Sequence, residues 1–312
     1  MGERSPVPGA DSFSREADYA KRCVFLLLAL ILWFPCPAAA EKWSFVALGD
    51  NRHGFAAYLD LLEGVAQLHS PENPRQPPLD FALICGDFTP VSESYESFRR
   101  LLGPPPPFLL PVRGNHENRE DVEVILGSIL PSLGPRVRSP HEKSVTYFAD
   151  WKNVRLVVLD PLSDFGSVFG GDRVIKWLPA VLEPPSSIQH VFLAMHKPLF
   201  LNPRSHWKLW QVLLQHRERV RGVFTAHTHA YDHKRFPHED YGIDVINVGN
   251  TGSVSHGDRR QTIVRVLVEG PDVAFEIYQS TAVRKKFQWW EGWSSRATTT
   301  KEAARSGKEP RP

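Results

Sequence analysis

Cysteine is almost missing from this chain. Three of the 312 residues are cysteines, and two of them, Cys23 and Cys36, fall in an N-terminal apolar stretch, which leaves Cys85 for the folded body. A lone cysteine cannot close an internal disulfide, and the setting Phe81-Ala82-Leu83-Ile84-Cys85 marks it as a small buried apolar residue. Excess charge is missing too. The formal net charge is +2, so no overall field argues for nucleic acid or a membrane as partner. The apolar run at 23–34 falls short of the roughly 20 residues a bilayer span needs. There is no internal repeat. What remains is a chain with 42% hydrophobic residues, enough to bury a full core as one large domain or two modest ones. Its 27 prolines cluster at 71–78 and 104–107, and those stretches read as surface connections.

The N-terminus reads as a targeting segment. Lys21-Arg22 precede the apolar run, and Pro35 and the small residues Ala38-Ala39-Ala40 follow it, which predicts a signal peptide cleaved after Ala40. The alternative is an uncleaved signal anchor, the one route by which a membrane enters. Either way residues 41 onward are expected outside the cytoplasm, secreted or periplasmic. The expected organisation is a leader at 1–40, a catalytic domain at 41–280 and a Trp-containing basic tail at 281–312, largely disordered.

Hydrophobic periodicity predicts strands at 43–48, 79–85, 108–112, 144–148, 154–159, 190–194 and 220–225. Helices are predicted at 55–68, 92–102, 120–130, 172–182 and 205–216. Asp150-Trp151-Lys152-Asn153 is a hairpin signal, and strands at 244–248, 262–268 and 273–278 close the domain. Alternation of α and β ending in antiparallel strands points to an α/β sandwich of two packed sheets flanked by helices.

Five of the apolar runs end in metal-binding side chains: Gly49-Asp50-Asn51-Arg52, Gly86-Asp87, Gly114-Asn115-His116-Glu117, Met195-His196 and Ala226-His227-Thr228-His229. Open α/β sheets build their sites at the carboxyl ends of strands. One Gly-Asp after a strand is ordinary turn chemistry, and a lone histidine is more often a satisfied loop residue. All five together read as a two-metal hydrolase. Carboxylate, amide oxygen and imidazole suit Mn, Fe or Zn better than a thiolate set would. His227 and His229, two apart at a strand end, are expected to point the same way.

Gly-Asp, Gly-Asn-His-Glu and His-x-His in this order resemble the calcineurin-like metallophosphoesterases over roughly residues 43–278. Gly114-Asn115-His116-Glu117 with His227-Thr228-His229-Ala230-Tyr231 looks most like the purple acid phosphatase branch. The resemblance implies two mixed β-sheets flanked by helices and a pair of divalent ions, identity open. It implies that Asp87 bridges both ions, that Asp50 and His229 hold the first, and that Asn115, His196 and His227 hold the second. Asn115 would also contact substrate, and His116 would stand beside the phosphate as general acid or electrostatic stabiliser. A shared carboxylate softens the repulsion of two cations, and metal-bound water ionises near pH ~7 to give a hydroxide nucleophile.

The pattern departs from the family in three places. The first block is usually Asp-x-His, whereas here Asp50-Asn51-Arg52 puts His53 one place late. His53 or Asn51 could complete the first site, water could fill the place, or the site could be weakly occupied. The purple branch has a tyrosine three residues after the bridging aspartate, where this chain has Pro90, so tyrosinate–iron chemistry is not carried over. Ala226 stands where glycine is common. Arg52, directly after a ligand, suits bidentate binding of phosphate oxygens, with a surface ion pair as the plainer alternative.

The expected function is hydrolysis of phosphate monoesters or diesters. Two rivals stand beside it. One is an inactive or weak metal- or phosphate-binding protein on the same scaffold, separable by metal content and turnover of a chromogenic ester. The other is a secreted nuclease using Arg284-Lys285-Lys286 and the following aromatics, separable by the salt dependence of nucleic-acid binding after truncation. No specific nucleic acid or protein partner is indicated.

Overall fold

A computed structural model describes residues 40–52, 54–69, 77–140, 144–160, 170–198, 207–253, 260–280 and 287–296. Residues 1–39 of the leader, and 281–286 and 297–312 of the basic tail with the Arg284-Lys285-Lys286 run, therefore lie outside the described residues, as does His53. Among the described residues no helix is long and apolar enough to cross a membrane.

The first half alternates: β1 (Lys42–Leu48), α1 (Phe55–His69), β2 (Leu79–Ile84), α2 (Val91–Leu101), β3 (Phe108–Pro111) and α3 (Arg119–Val124). A π-helical turn, Ile125–Ile129, carries α3 on. Then come β4 (Val137–Arg138), β5 (Tyr147–Trp151), β6 (Val154–Val158), α4 (Gly170–Leu182), β7 (His190–Ala194), α5 (Trp207–Gln215), β8 (Val220–Thr225), β9 (Tyr231–Phe236) and β10 (Ile243–Val248). The chain closes with β11 (Thr262–Glu269), β12 (Asp272–Ser280) and β13 (Phe287–Arg296).

Two mixed sheets result, ordered β13-β12-β11-β1-β2-β3 and β4-β5-β6-β7-β8-β10-β9. Period-two alternation aims one face of each at the other. The Phe45 ring of β1 stacks on Phe81 at 4.5 Å and meets Phe192 and Phe224 of the second sheet edge-on at 5.5 and 6.0 Å. Fully burying such a ring contributes ~1.5–3 kcal/mol. The outer faces are covered as well. Leu61, Leu62 and Val65 of α1 are buried with the first sheet, and Leu178, Leu209, Trp210 and Leu213 of α4 and α5 with Val157, Leu193 and Val223 of the second. Burial on both faces is why the central strands read as continuous apolar runs.

Three strands lie outside the sequence reading, the first being the two-residue β4, which pairs antiparallel with β5. Tyr231–Phe236, where the sequence predicts no strand, pairs antiparallel with β10, His233 opposite Ile246. Phe287–Arg296, expected within a largely disordered tail, pairs with β12 along its length. Trp293 supplies the reason, stacking nearly flat on Phe275 at 4.7 Å and on His233 at 3.9 Å. Ile277 faces Glu291 and Tyr278 faces Trp289, so Trp290 is an extra, bulged residue that breaks the two-residue alternation.

Candidate metal centre

The ends of five strands meet at one edge of the sandwich. The six-stranded sheet delivers Asp50, Asp87 and Asn115-His116, and the seven-stranded sheet delivers His196 and His227 to His229. The His227 backbone N–H donates to Asp50 Oδ2 at 2.8 Å and stitches the two sheets together. Ligand atoms of Asp50, Asp87 and His229 lie within 4.8 Å of one another. On the other side of Asp87, His196 Nε2 stands 3.4 Å from Asp87 Oδ1, 3.0 Å from Asn115 Oδ1 and 3.2 Å from His227 Nδ1. All six sequence-predicted ligands therefore converge.

The backbone is bent to achieve this. Asp50, Asp87, His227 and His229 have φ of 60°, 54°, 74° and 57°, in the left-handed region that L-residues avoid. The two histidines are thus not presented by strand alternation, as their spacing predicts. Separate left-handed turns aim His227 at His196 and His229 at Asp50. Gly86 (φ 87°) permits the turn before Asp87, and a Cβ there would lie 2.6 Å from His196 Nδ1. The methyl of Ala226 fits because Gly49 faces it, where an added Cβ would come within 2.8 Å.

Charge at the site is unbalanced. Asp50 is fully buried and its Oδ1 has no hydrogen-bond partner. Burial, then the Asp87 carboxylate, pushes the Asp50 carboxyl well above the usual carboxylate range. Among the described residues, Asp50 and Asp87 face the imidazoles of His229, His116 and His196. Burial also holds His196 down at about 4, leaving it neutral near pH 7, and lowers His227, with Lys197 adding to the effect. His196 Nδ1 lies 2.8 Å from the Cys85 carbonyl, which places the proton there and a lone pair on Nε2. That lone pair faces the lone pairs of Asn115 Oδ1. Converging acceptors, an orphaned buried carboxylate oxygen and neutral imidazoles fit divalent cations.

The sequence pattern of the calcineurin-like phosphoesterases matches residues 44–231. The chain belongs to that family. The match is to the family as a whole and does not distinguish its branches, the purple acid phosphatase branch included. No curated protein sequence matched. Solved structures with a similar course include Vps29 from Chaetomium thermophilum, with 15% identity over 82% of this chain and 96% of that one and a TM-score of 0.44. Vacuolar protein sorting 29 from Cryptosporidium parvum has 12% identity over 82% and 98%, TM-score 0.44. A conserved uncharacterised protein from Streptococcus pneumoniae, described as a predicted phosphoesterase, has 12% identity over 82% and 100%, TM-score 0.40.

In this calcineurin-like phosphoesterase the remaining candidates fall around the ligands. His116 is exposed, its Nε2 3.8 Å from Asp87 Oδ2, while its backbone N–H donates to Asp87 Oδ1 at 3.1 Å. Arg52 is tied through its backbone N–H to the Asp87 carbonyl at 3.1 Å. Asn51 gives its amide to Ser94 Oγ at 3.1 Å, anchoring the Asp50 loop to α2, and its Oδ1 stays buried without a partner. Pro90, where the purple branch has tyrosine, sits at the N-terminus of α2.

Glu117 is the residue whose role the sequence did not disclose. Its Oε1 accepts from Phe88 N at 2.9 Å and its Oε2 from Gly114 N at 2.8 Å, clamping the Asp87 loop to the Asn115 loop. Burial and the nearby Asp87 push its carboxyl up to about 7 despite those bonds. The quoted Gly114-Asn115-His116-Glu117 run contains it, but only the tertiary contact with Phe88 shows what it holds.

Proposed function

We propose that the protein hydrolyses phosphate esters with two divalent cations that share Asp87. The observation carrying this reading is the pair of ligand sets on either side of Asp87, one with an orphaned buried carboxylate oxygen on Asp50, the other with lone pairs of Asn115 and His196 turned toward each other. Asp50 and His229 would hold one cation, Asn115, His196 and His227 the other. Bound divalent ions would supply an activated water and offset charge on the phosphoryl oxygens.

The protein's own groups do the rest. Exposed His116, beside Asp87, is positioned to give a proton to the leaving oxygen. Arg52, on the loop held by Asp87, is suited to pair with phosphate oxygens in bidentate fashion. Asn115, partly exposed, meets both cation and substrate. Glu117 keeps the Asp87 and Asn115 loops at fixed separation, so the two ligand sets stay in register. The leader reading adds export from the cytoplasm as part of the proposal.

A second reading, a metal- or phosphate-binding protein of low turnover, is favoured by one observation. The first cluster gathers three protein groups, Asp50, Asp87 and His229. Elemental analysis of the purified chain with turnover of a chromogenic phosphate ester separates the two. Metal with turnover supports the hydrolase, metal without turnover supports the binding protein, and neither removes both.

A further inference from the structure

Among the described residues five large apolar side chains are exposed: Phe55 (37%), Trp207, Tyr241, Trp289 and Trp290. Scattered exposure of this kind is ordinary. Here all but Tyr241 fall at the ends of elements that open on the edge carrying the metal centre. Phe55 opens α1 next to Gly54, which packs against the Gly252 backbone, and Ser253 N–H donates to the Asp50 carbonyl. Trp207 opens α5, which runs back from the site edge toward the start of β8. Strand register places the other two. Ala47 pairs with Val264, Val264 with Ile277 and Ile277 with Glu291, so Trp290 and Trp289 reach the level where β1 ends.

The two tryptophans are 61% and 55% exposed, and the bulge at Trp290 re-aims the edge strand there. The Arg260 guanidinium lies over the Trp290 ring, 5.4 Å from its centroid. This wall is joined to the site, because Tyr231, two residues after His229, donates its hydroxyl to Glu291. Exposed tryptophan with a stacked cation is the composition that settles at the headgroup level of a bilayer, where one end of the ring is apolar and the other wet. Arg260 over the Trp290 ring, and Lys197 directly after His196, give this edge cations that complement anionic lipid phosphates.

We propose that the aromatic edge formed by Phe55, Trp207, Trp289 and Trp290, with Arg260 on Trp290, seats the metal centre on an anionic phospholipid surface, so that its substrates are amphiphilic phosphate esters carried in that surface. The substrate part rests on the phosphate-ester reading above. Full-length protein is given the same phosphate ester in two forms, a short-chain soluble one and a long-chain one held in phosphatidylglycerol vesicles. Trp289→Ala/Trp290→Ala should lose about tenfold on the vesicle form while keeping the soluble rate, since only docking needs the buried ring area. Tyr241→Ala, on the opposite edge, should match wild type on both. Equal rates for the double variant and wild type on vesicles would overturn the proposal, as would an equal loss on both forms. If neither ester is turned over, the hydrolase reading fails and docking is read by co-sedimentation with the same vesicles. The leader is common to all variants, so a deficit in the double variant alone supports docking, and equal sedimentation overturns it.

Discussion

On one side of Asp87 stand Asp50 and His229, and on the other stand Asn115, His196 and His227. The first group concentrates negative charge in a dry place, with Asp50 fully buried, one of its oxygens unpartnered and its carboxyl held above the usual range. The second group is built of neutral donors and is braced from outside, through His196 Nδ1 on the Cys85 carbonyl. The carboxylate side is therefore electrostatically costly until a cation arrives, whereas the imidazole side stands nearly ready without one. Asp87 belongs to both, and Glu117 spans the loops that carry it and Asn115.

The sharpest way to break this comparison is to change the member common to both sides. Asp87→Asn should strip both cations and lower turnover by more than about 10³-fold. Retained metal with full turnover would refute the bridging role. His116 belongs to neither side as a ligand. His116→Ala should leave metal content intact and lower the rate by about 10²–10⁴-fold.

Changing one side at a time should separate them. Asp50→Asn removes a carboxyl that burial and Asp87 disfavour in its charged form, at a left-handed position that asparagine tolerates, so the metal-free chain should melt no lower than wild type. The same variant should bind about 10–100-fold less of the first cation. His196→Ala should instead lower the melting point of the metal-free chain, since it empties a buried position and unpairs the Cys85 carbonyl. Calorimetry of both metal-free variants checks the opposite signs.

Acidity distinguishes the sides further. Glu117, at about 7, is raised above its unfolded value, so the metal-free fold holds a proton that the unfolded chain gives up. Its contribution to stability is present at low pH and is lost as pH rises toward 7. Asp50 shifts in the same direction. Cation binding must displace the Asp50 proton and, by its charge, favours loss of the Glu117 proton, so Mn(II) affinity should rise as pH climbs through about 7, with proton release visible by calorimetry in two buffers. His196, at about 4, is already neutral in that window and adds no slope. Glu117→Gln should flatten the dependence. The smallest effect expected is for Arg52→Ala, a several-fold rise in KM with kcat little changed, because a partly exposed pair with phosphate is worth about 1 kcal/mol. An unaltered KM returns Arg52 to a surface role.

Much of this is legible in the sequence. Ligands at strand ends follow from apolar runs stopping at Gly-Asp or His, and burial on both faces kept the central strands unambiguous. What escaped has physical causes. The bulge at Trp290 interrupts the alternation of β13, and β9 reads as polar because Asp232, His233, Lys234 and Arg235 lie on a half-exposed edge strand. The direction of His227 and His229 was expected for the wrong reason, since left-handed turns rather than extended spacing orient them. Glu117 was silent because its partner, the Phe88 N–H, is 29 positions away.

The central claim, two cations sharing one carboxylate, is tested most directly by counting metal per chain after saturation with Mn(II) or Zn(II) and removal of excess, in wild type and Asp87→Asn. The account predicts two ions per wild-type chain and none in the variant. Equal metal content in the two proteins would contradict it.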